Sequence, residues 1–184
     1  HVSPASLPGM FERTIPIYTF SKTYAMTGLR MGYLAARDAK LRERMKKVLF
    51  YTASNVTSIV QYGAIGGLEG SQDCIEAFRT ELQARRDLFY AGIREHARGV
   101  LTGEPPAGAF YAFLHIDPLW RISGETPSVS WAMAEHLIAR GRIGCVPGAD
   151  FGTAGEGYIR FCFARERAEL QGALESMRGV FSAS

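Results

Sequence analysis

Cysteine, histidine and lysine are all scarce in this 184-residue chain. Its three cysteines, Cys74, Cys145 and Cys162, are odd in number and widely spaced, which argues against a disulfide framework and against a zinc site. The four histidines (His1, His96, His115 and His136) show no ligand spacing to cysteines or acids, so no metal site is expected. No apolar run approaches the ~18 residues of a membrane-spanning helix. No signal-peptide pattern opens the chain either, and a cytoplasmic, reducing home is expected. The chain also lacks a G-x-S-x-G nucleophile elbow, an H-E-x-x-H helix and a Walker-type lysine loop. The glycines Gly152, Gly155 and Gly157 do not replace that loop. They precede an expected strand, whereas a phosphate loop follows a strand and opens a helix.

Hydrophobic residues make up 47% of the chain and charged residues 21%, which is the balance of a globular protein with an ordinary core. The net charge is only +3, with acids interleaved among the arginines. The densest basic run, Arg42 to Lys47, is broken by Glu43 and has no aromatic interleaving. It reads as a solvated helix face, and no nucleic-acid partner is expected.

Only four of the 21 basic residues are lysines. Lys40, Lys46 and Lys47 lie in that charged helix, whereas Lys22 follows the apolar run Ile15-Pro16-Ile17-Tyr18-Thr19-Phe20. A lysine at the end of a buried strand loses hydration, which disfavours its charged form and makes it a better amine nucleophile. Such an amine can form a Schiff base with a carbonyl. Beside it stand the hydroxyls of Thr19, Ser21 and Thr23, and Arg30 follows across a small-residue turn. Hydroxyls and a guanidinium suit a phosphate dianion. A Schiff-base lysine with a phosphate clamp describes a pyridoxal 5'-phosphate (PLP) site.

The stretch resembles the lysine signature of class I and II PLP-dependent aminotransferases, the aspartate aminotransferase fold. The matching positions are Ser21, Lys22, Ala25, Met26, Gly28, Arg30, Met31 and Gly32. Thr19 departs from the family's Ser or Gly but keeps a hydroxyl. The resemblance implies PLP held on Lys22, with its phosphate on Arg30, Ser21 and Thr19. It implies an α/β fold comprising the end of the large-domain sheet, a long connecting helix and a small α+β domain. Residues 1–85 would close the large PLP-binding domain and begin the long helix, and residues 86–184 would form the small domain. The family's signature lysine lies in the later part of a longer chain, so these residues are expected to be a C-terminal portion. The Gly-rich phosphate turn, the Asn and Asp-x-x-Tyr that hold the cofactor ring, and a tyrosine from a partner subunit would lie outside it. The full-length protein is expected to be a homodimer.

Periodicity supplies the elements. Residues 15–20 and 32–36 read as short strands, the first of them buried and the second returning into the same sheet. Asp38 caps a helix with Leu41, Met45, Val48 and Leu49 inward. Residues 54–69 read as a second helix with Val56, Ile59, Val60, Ala64 and Ile65 inward. A long helix runs from Ser71 to about His96 and stops at Gly99. Then come a strand over 108–116, a helix from Ser128 closed by Gly141, strands over 143–146 and 158–164, and a last helix over 166–181 with Leu170, Leu174 and Met177 inward.

Three further constellations bear on chemistry. In Tyr158-Ile159-Arg160-Phe161-Cys162, the alternation puts Arg160 on the strand face opposite Ile159 and Phe161. Its fork fits a carboxylate bidentately. By resemblance this arginine grips the α-carboxylate of an amino acid substrate, and the plain alternative is a bridge to an acid such as Glu156. Val146-Pro147-Gly148-Ala149-Asp150-Phe151-Gly152 resembles the family's Pro-Gly-x-x-Phe-Gly loop, with Phe151 walling the pocket, or is an ordinary surface turn. Gly108-Ala109-Phe110-Tyr111-Ala112-Phe113 is a strand start to which no site role is given.

The function expected is transfer of an amino group between an amino acid and a 2-oxo acid. A PLP-dependent C–S or β-lyase, a PLP-binding regulatory domain of a transcription factor, and a folded but inactive remnant remain as alternatives. Residues upstream of His1 would separate the regulatory domain, and product analysis the lyase.

Overall fold

The computed structural model describes residues 2–120 and 128–182. Contacts divide the chain into two compact units, His1–Ala77 and Phe78–Ser184.

In the first unit β1 (Ile17–Thr19) pairs antiparallel with β2 (Gly32–Leu34), and Thr19 stands opposite Gly32. The return into one sheet is as the sequence predicts. A Cβ on Gly32 would fall 2.6 Å from the Tyr18 carbonyl oxygen, so only glycine lets the strands close next to the lysine turn. The loop before β1 contains two short 3-10 turns, Pro4–Ser6 and Phe11–Arg13.

Helix α1 (Ala39–Ala53) starts where expected, because the Asp38 carboxylate accepts from the N–H groups of Lys40 and Leu41. Helix α2 (Ser58–Glu69) starts later than expected. Ser54 ends α1 with φ 58°, and the chain stays irregular to Thr57.

The expectation of a buried first strand is overturned. All three β1 residues are exposed, Ile17 to 78%, and Phe20 just beyond them is the buried one. A two-stranded ribbon is covered only when another layer packs on it, and the described residues supply none over Ile17. The same correction applies to the inward faces assigned to the two helices. Val48, Leu49, Ile59 and Ile65 are exposed, and α2 buries Ala64 alone.

Helix α3 (Asp73–His96) is the long helix the periodicity predicts. Its second half lines the core of the second unit with Phe89, Tyr90 and Ile93, whereas Phe78 in its first half is exposed. Gly99, at φ 81°, ends the turn that follows it.

The second unit is built on a four-stranded antiparallel sheet in the order β3-β4-β6-β5. Its strands are β3 (Leu101–Thr102), β4 (Tyr111–Ile116), β5 (Val146–Pro147) and β6 (Tyr158–Cys162). The pair Leu101–Thr102, too short to show a period, was not foreseen from sequence. Ala112, Leu114, Ile116, Ile159 and Phe161 face the core, where they meet Met133 and Leu137 of α4 (Val129–Gly141). Leu170, Leu174 and Met177 of α5 (Arg167–Ser182) complete it. The residues between them, Tyr111, Phe113, His115, Tyr158 and Arg160, take the other face. Helix α4 closes differently from the reading: Gly141 is its last helical residue, and Arg142 is the left-handed cap, donating its N–H to the Ile138 carbonyl.

Candidate active site

The lysine turn is anchored by its one buried residue. Phe20 donates its N–H to the Met31 carbonyl, and its own carbonyl accepts from Tyr24 and Met26. Its ring packs with those of Tyr24 and Tyr33. Tyr24 then reaches Gln72 with its hydroxyl at 3.1 Å. The apolar residue before Ser21-Lys22 is thus the peg on which the turn hangs.

Around that peg a chain of hydrogen bonds links the residues singled out from sequence. Thr19 Oγ1 lies 2.9 Å from Ser21 Oγ and accepts the Ser21 N–H at 3.1 Å. Thr27 Oγ1 donates to the Ser21 carbonyl at 2.7 Å, and Arg30 Nη1 donates to the Thr27 carbonyl at 2.8 Å. Thr19, Ser21 and Arg30 are therefore brought together, with Lys22 between them in sequence. Thr27 is a member of this chain that sequence reasoning missed.

The backbone is strained here. Ala25 and Arg30 both take left-handed conformations, with φ 55° and φ 54°. For a residue with a Cβ this costs roughly 1–2 kcal/mol, and such strain concentrates at functional sites. One expectation fails: solvent reaches Lys22 because β1 is exposed, so the chain's own residues do not dehydrate it.

Arg160 belongs to the second unit. Register places it opposite Phe113 on the face of the sheet turned away from the core. Its guanidinium carbon lies 4.5 Å from the ring centroids of Tyr111 and of Phe151. No carboxylate among the described residues pairs with it.

The plain alternative, a bridge to Glu156, is not what forms. Glu156 accepts from Ser128 Oγ at 2.7 Å and from the Ser130 N–H at 3.2 Å. Partial burial works to raise its carboxyl pKa, but those bonds and the N–H groups of Val129 and Gly157 outweigh it and hold the group below its usual value. Cys145 packs against the core, and burial pushes its thiol up to about 12, which favours the protonated form.

The loop before Arg160 brings the Phe151 ring close to the guanidinium. Tyr111 was passed over because a Gly-Ala-Phe-Tyr start reads equally well as core. The cross-strand register was the signal needed, and it is visible only once β4 and β6 are paired.

Comparison with known proteins decides the family. The family model for aminotransferase class I and II matches residues 6–177. The chain belongs to the class I and II aminotransferases.

Within that family, it is 38% identical over 182 residues to the aspartate aminotransferase of Pyrococcus abyssi, covering 98% of this chain and 44% of that protein. It is 38% identical over 180 residues to aromatic-amino-acid aminotransferase 2 of Thermococcus litoralis, covering 97% of this chain and 43% of the relative. The crystal structure of the aspartate aminotransferase from Rhizobium meliloti superposes with a TM-score of 0.88 at 31% identity, over 99% of this chain and 45% of the other. The chain thus spans less than half the length of the aminotransferases it matches. Family membership implies PLP as the cofactor. Among the described residues no helix is long and apolar enough to cross a membrane.

Proposed function

We propose that this chain supplies the lysine, phosphate and carboxylate contacts of a PLP-dependent aminotransferase as the C-terminal portion of that enzyme. Residues 1–85 would close its cofactor domain and residues 86–184 would form its small domain. The observation that carries the reading is the hydrogen-bonded turn joining Thr19, Ser21, Thr27 and Arg30 around Lys22.

The donor set fits PLP. Two neighbouring hydroxyls and a guanidinium suit a phosphate dianion, and a primary amine suits a carbonyl. Thr19, Ser21 and Arg30 would hold the phosphate, and Lys22 would hold the carbonyl carbon through Nζ. When bound, PLP acts as an electron sink for charge developing at the substrate Cα.

The chain's own residues do the rest. Arg160 holds the substrate carboxylate in a fixed fork and so orients the Cα–H bond. Lys22 Nζ would take the proton from Cα and return it, as general base and then acid. The homodimer and the cytoplasmic setting expected for the complete enzyme belong to the same proposal.

The test uses the complete protein with PLP bound. Borohydride reduction and peptide mapping should fix the label on Lys22. A label on Lys40, Lys46 or Lys47 would refute the assignment. Products separate transamination from lyase chemistry: a 2-oxo acid formed only with an amino acceptor supports the reading, and pyruvate with ammonia formed without one overturns it.

A further inference from the structure

We propose that Tyr111 and Phe151 are positioning residues for Arg160: their rings fix the plane of its guanidinium and so set the approach of the substrate carboxylate, an inference resting on the function proposed above. Both ring centroids lie 4.5 Å from the guanidinium carbon. An arginine held by a resident carboxylate has its N–H donors occupied and must exchange partners to take a substrate. Rings hold it through the cation–π attraction on the guanidinium face and leave the N–H edge available.

The two rings reach Arg160 by different routes. Tyr111 stands opposite Cys162, and Arg160 opposite Phe113, so Tyr111 and Arg160 are diagonal neighbours on one face of the β4–β6 pair. Such diagonals are within reach of long side chains.

Phe151 arrives on the loop between β5 and β6, where two stretches of backbone cross. A Cβ on Gly148 would fall 2.2 Å from the Gly155 carbonyl oxygen, and one on Gly155 would fall 2.0 Å from that of Gly148. The crossing therefore admits only glycine at both points, and it delivers Phe151 to Arg160.

Phe113 braces the arrangement. Its ring meets Phe151 edge-on at 6.0 Å and stacks on Tyr158 at 5.0 Å with the planes 2° apart. The guanidinium rests on a braced aromatic block, so rotamer freedom that would oppose productive binding is already restricted.

The test uses the full-length holoenzyme and hydrocinnamate, a carboxylate that has no amino group to react. Its Kd is read from the cofactor absorbance, beside KM and kcat for an amino acid. Tyr111→Leu and Phe151→Leu should each raise Kd and KM roughly five- to tenfold with kcat changed by less than about twofold. Tyr111→Phe, which keeps the ring, should behave as the parent. Phe151 is half exposed, so its variant should keep the parent Tm and serve even if Tyr111→Leu fails to fold.

Parent-like Kd in the folded leucine variants, with Arg160→Lys weakened, overturns the positioning role and leaves the proposed function standing. Parent-like Kd in Arg160→Lys overturns both. Loss in Tyr111→Phe equal to that in Tyr111→Leu assigns the effect to the hydroxyl and overturns the role of the ring.

Discussion

In residues 78–184 the apolar side chains of β4, β6, α4 and α5 close on one another, whereas in residues 1–77 most of those on β1, α1 and α2 face solvent. Phe20, Ala36 and Ala64 are the buried hydrophobic residues of the first unit, while Ile59 is 85% exposed and Tyr51 and Tyr62 are 75% exposed. The residues proposed to hold the cofactor sit on the sparsely covered unit, and the arginine proposed to bind the carboxylate sits on the well-packed one. The hydrogen-bonded lysine turn survives that exposure because its bonds are local and its anchor, Phe20, is buried. Exposed apolar residues that follow strand and helix periods mark faces shaped to be covered by other surface.

The largest expected effect tests what the sparsely covered unit does. In the full-length enzyme Lys22→Ala should lower transamination on the order of 10²–10⁴-fold or more, since it removes the proposed covalent hold and the proposed general base together. The urea midpoint of the second unit should not move. Retained turnover would show that the exposed turn is not where the chemistry lies.

Next in size is a direct probe of the packing contrast. In this chain Leu174→Ala should cost about 2–5 kcal/mol, measured by urea unfolding, because a buried leucine is lost from a closed core. Ile59→Ala should cost less than ~0.5 kcal/mol, as for other exposed positions. Equal losses would break the comparison. A loss of about 2 kcal/mol or more for Ile59→Ala in the full-length protein would sharpen it, since the cover on α2 would then come from residues outside this chain.

Arg160→Lys comes third. It replaces a planar fork with a point charge and should cost on the order of 1.5–3 kcal/mol in kcat/KM. PLP absorbance should be unchanged, because the proposed phosphate contacts, Thr19, Ser21 and Arg30, lie on the first unit. Unchanged kinetics would make Arg160 structural.

Much of this was legible in the sequence, but unevenly. Helix starts carried by a capping residue, Asp38 for α1 and Ser128 for α4, were readable because one side chain fixes each boundary locally. The alternation around Arg160 gave its face correctly for the same reason. Burial was legible only where the described residues supply a covering layer: the α5 stripe is buried as read, and the stripes on α1 and α2 are largely exposed. Thr27 and Tyr111 of the candidate site escaped because what singles them out is a contact. Thr27 matters through a hydroxyl on the Ser21 carbonyl, and Tyr111 through a register set between strands distant in sequence.

The smallest effect concerns what ties α3 to α5 within the well-packed unit. Glu81 receives Arg167 through two bonds, Nη2 at 2.6 Å and Nε at 3.0 Å, and also Arg85 Nε at 2.7 Å. Hydrogen bonds from Arg167 and then Arg85 hold its carboxyl down at about 2. In the unfolded chain the same group titrates at about 4.3. The folded state thus binds its proton less readily, so the stabilisation is complete above about pH 4.3 and is lost as pH falls toward 2. These side chains reach solvent, so added salt should weaken the effect. Glu81→Gln should therefore flatten the acid fall in the urea midpoint between pH 5 and pH 3 at low ionic strength, and change little at high salt. An acid slope identical to the parent's would show that the bidentate pair adds nothing to the packing of the helices it joins.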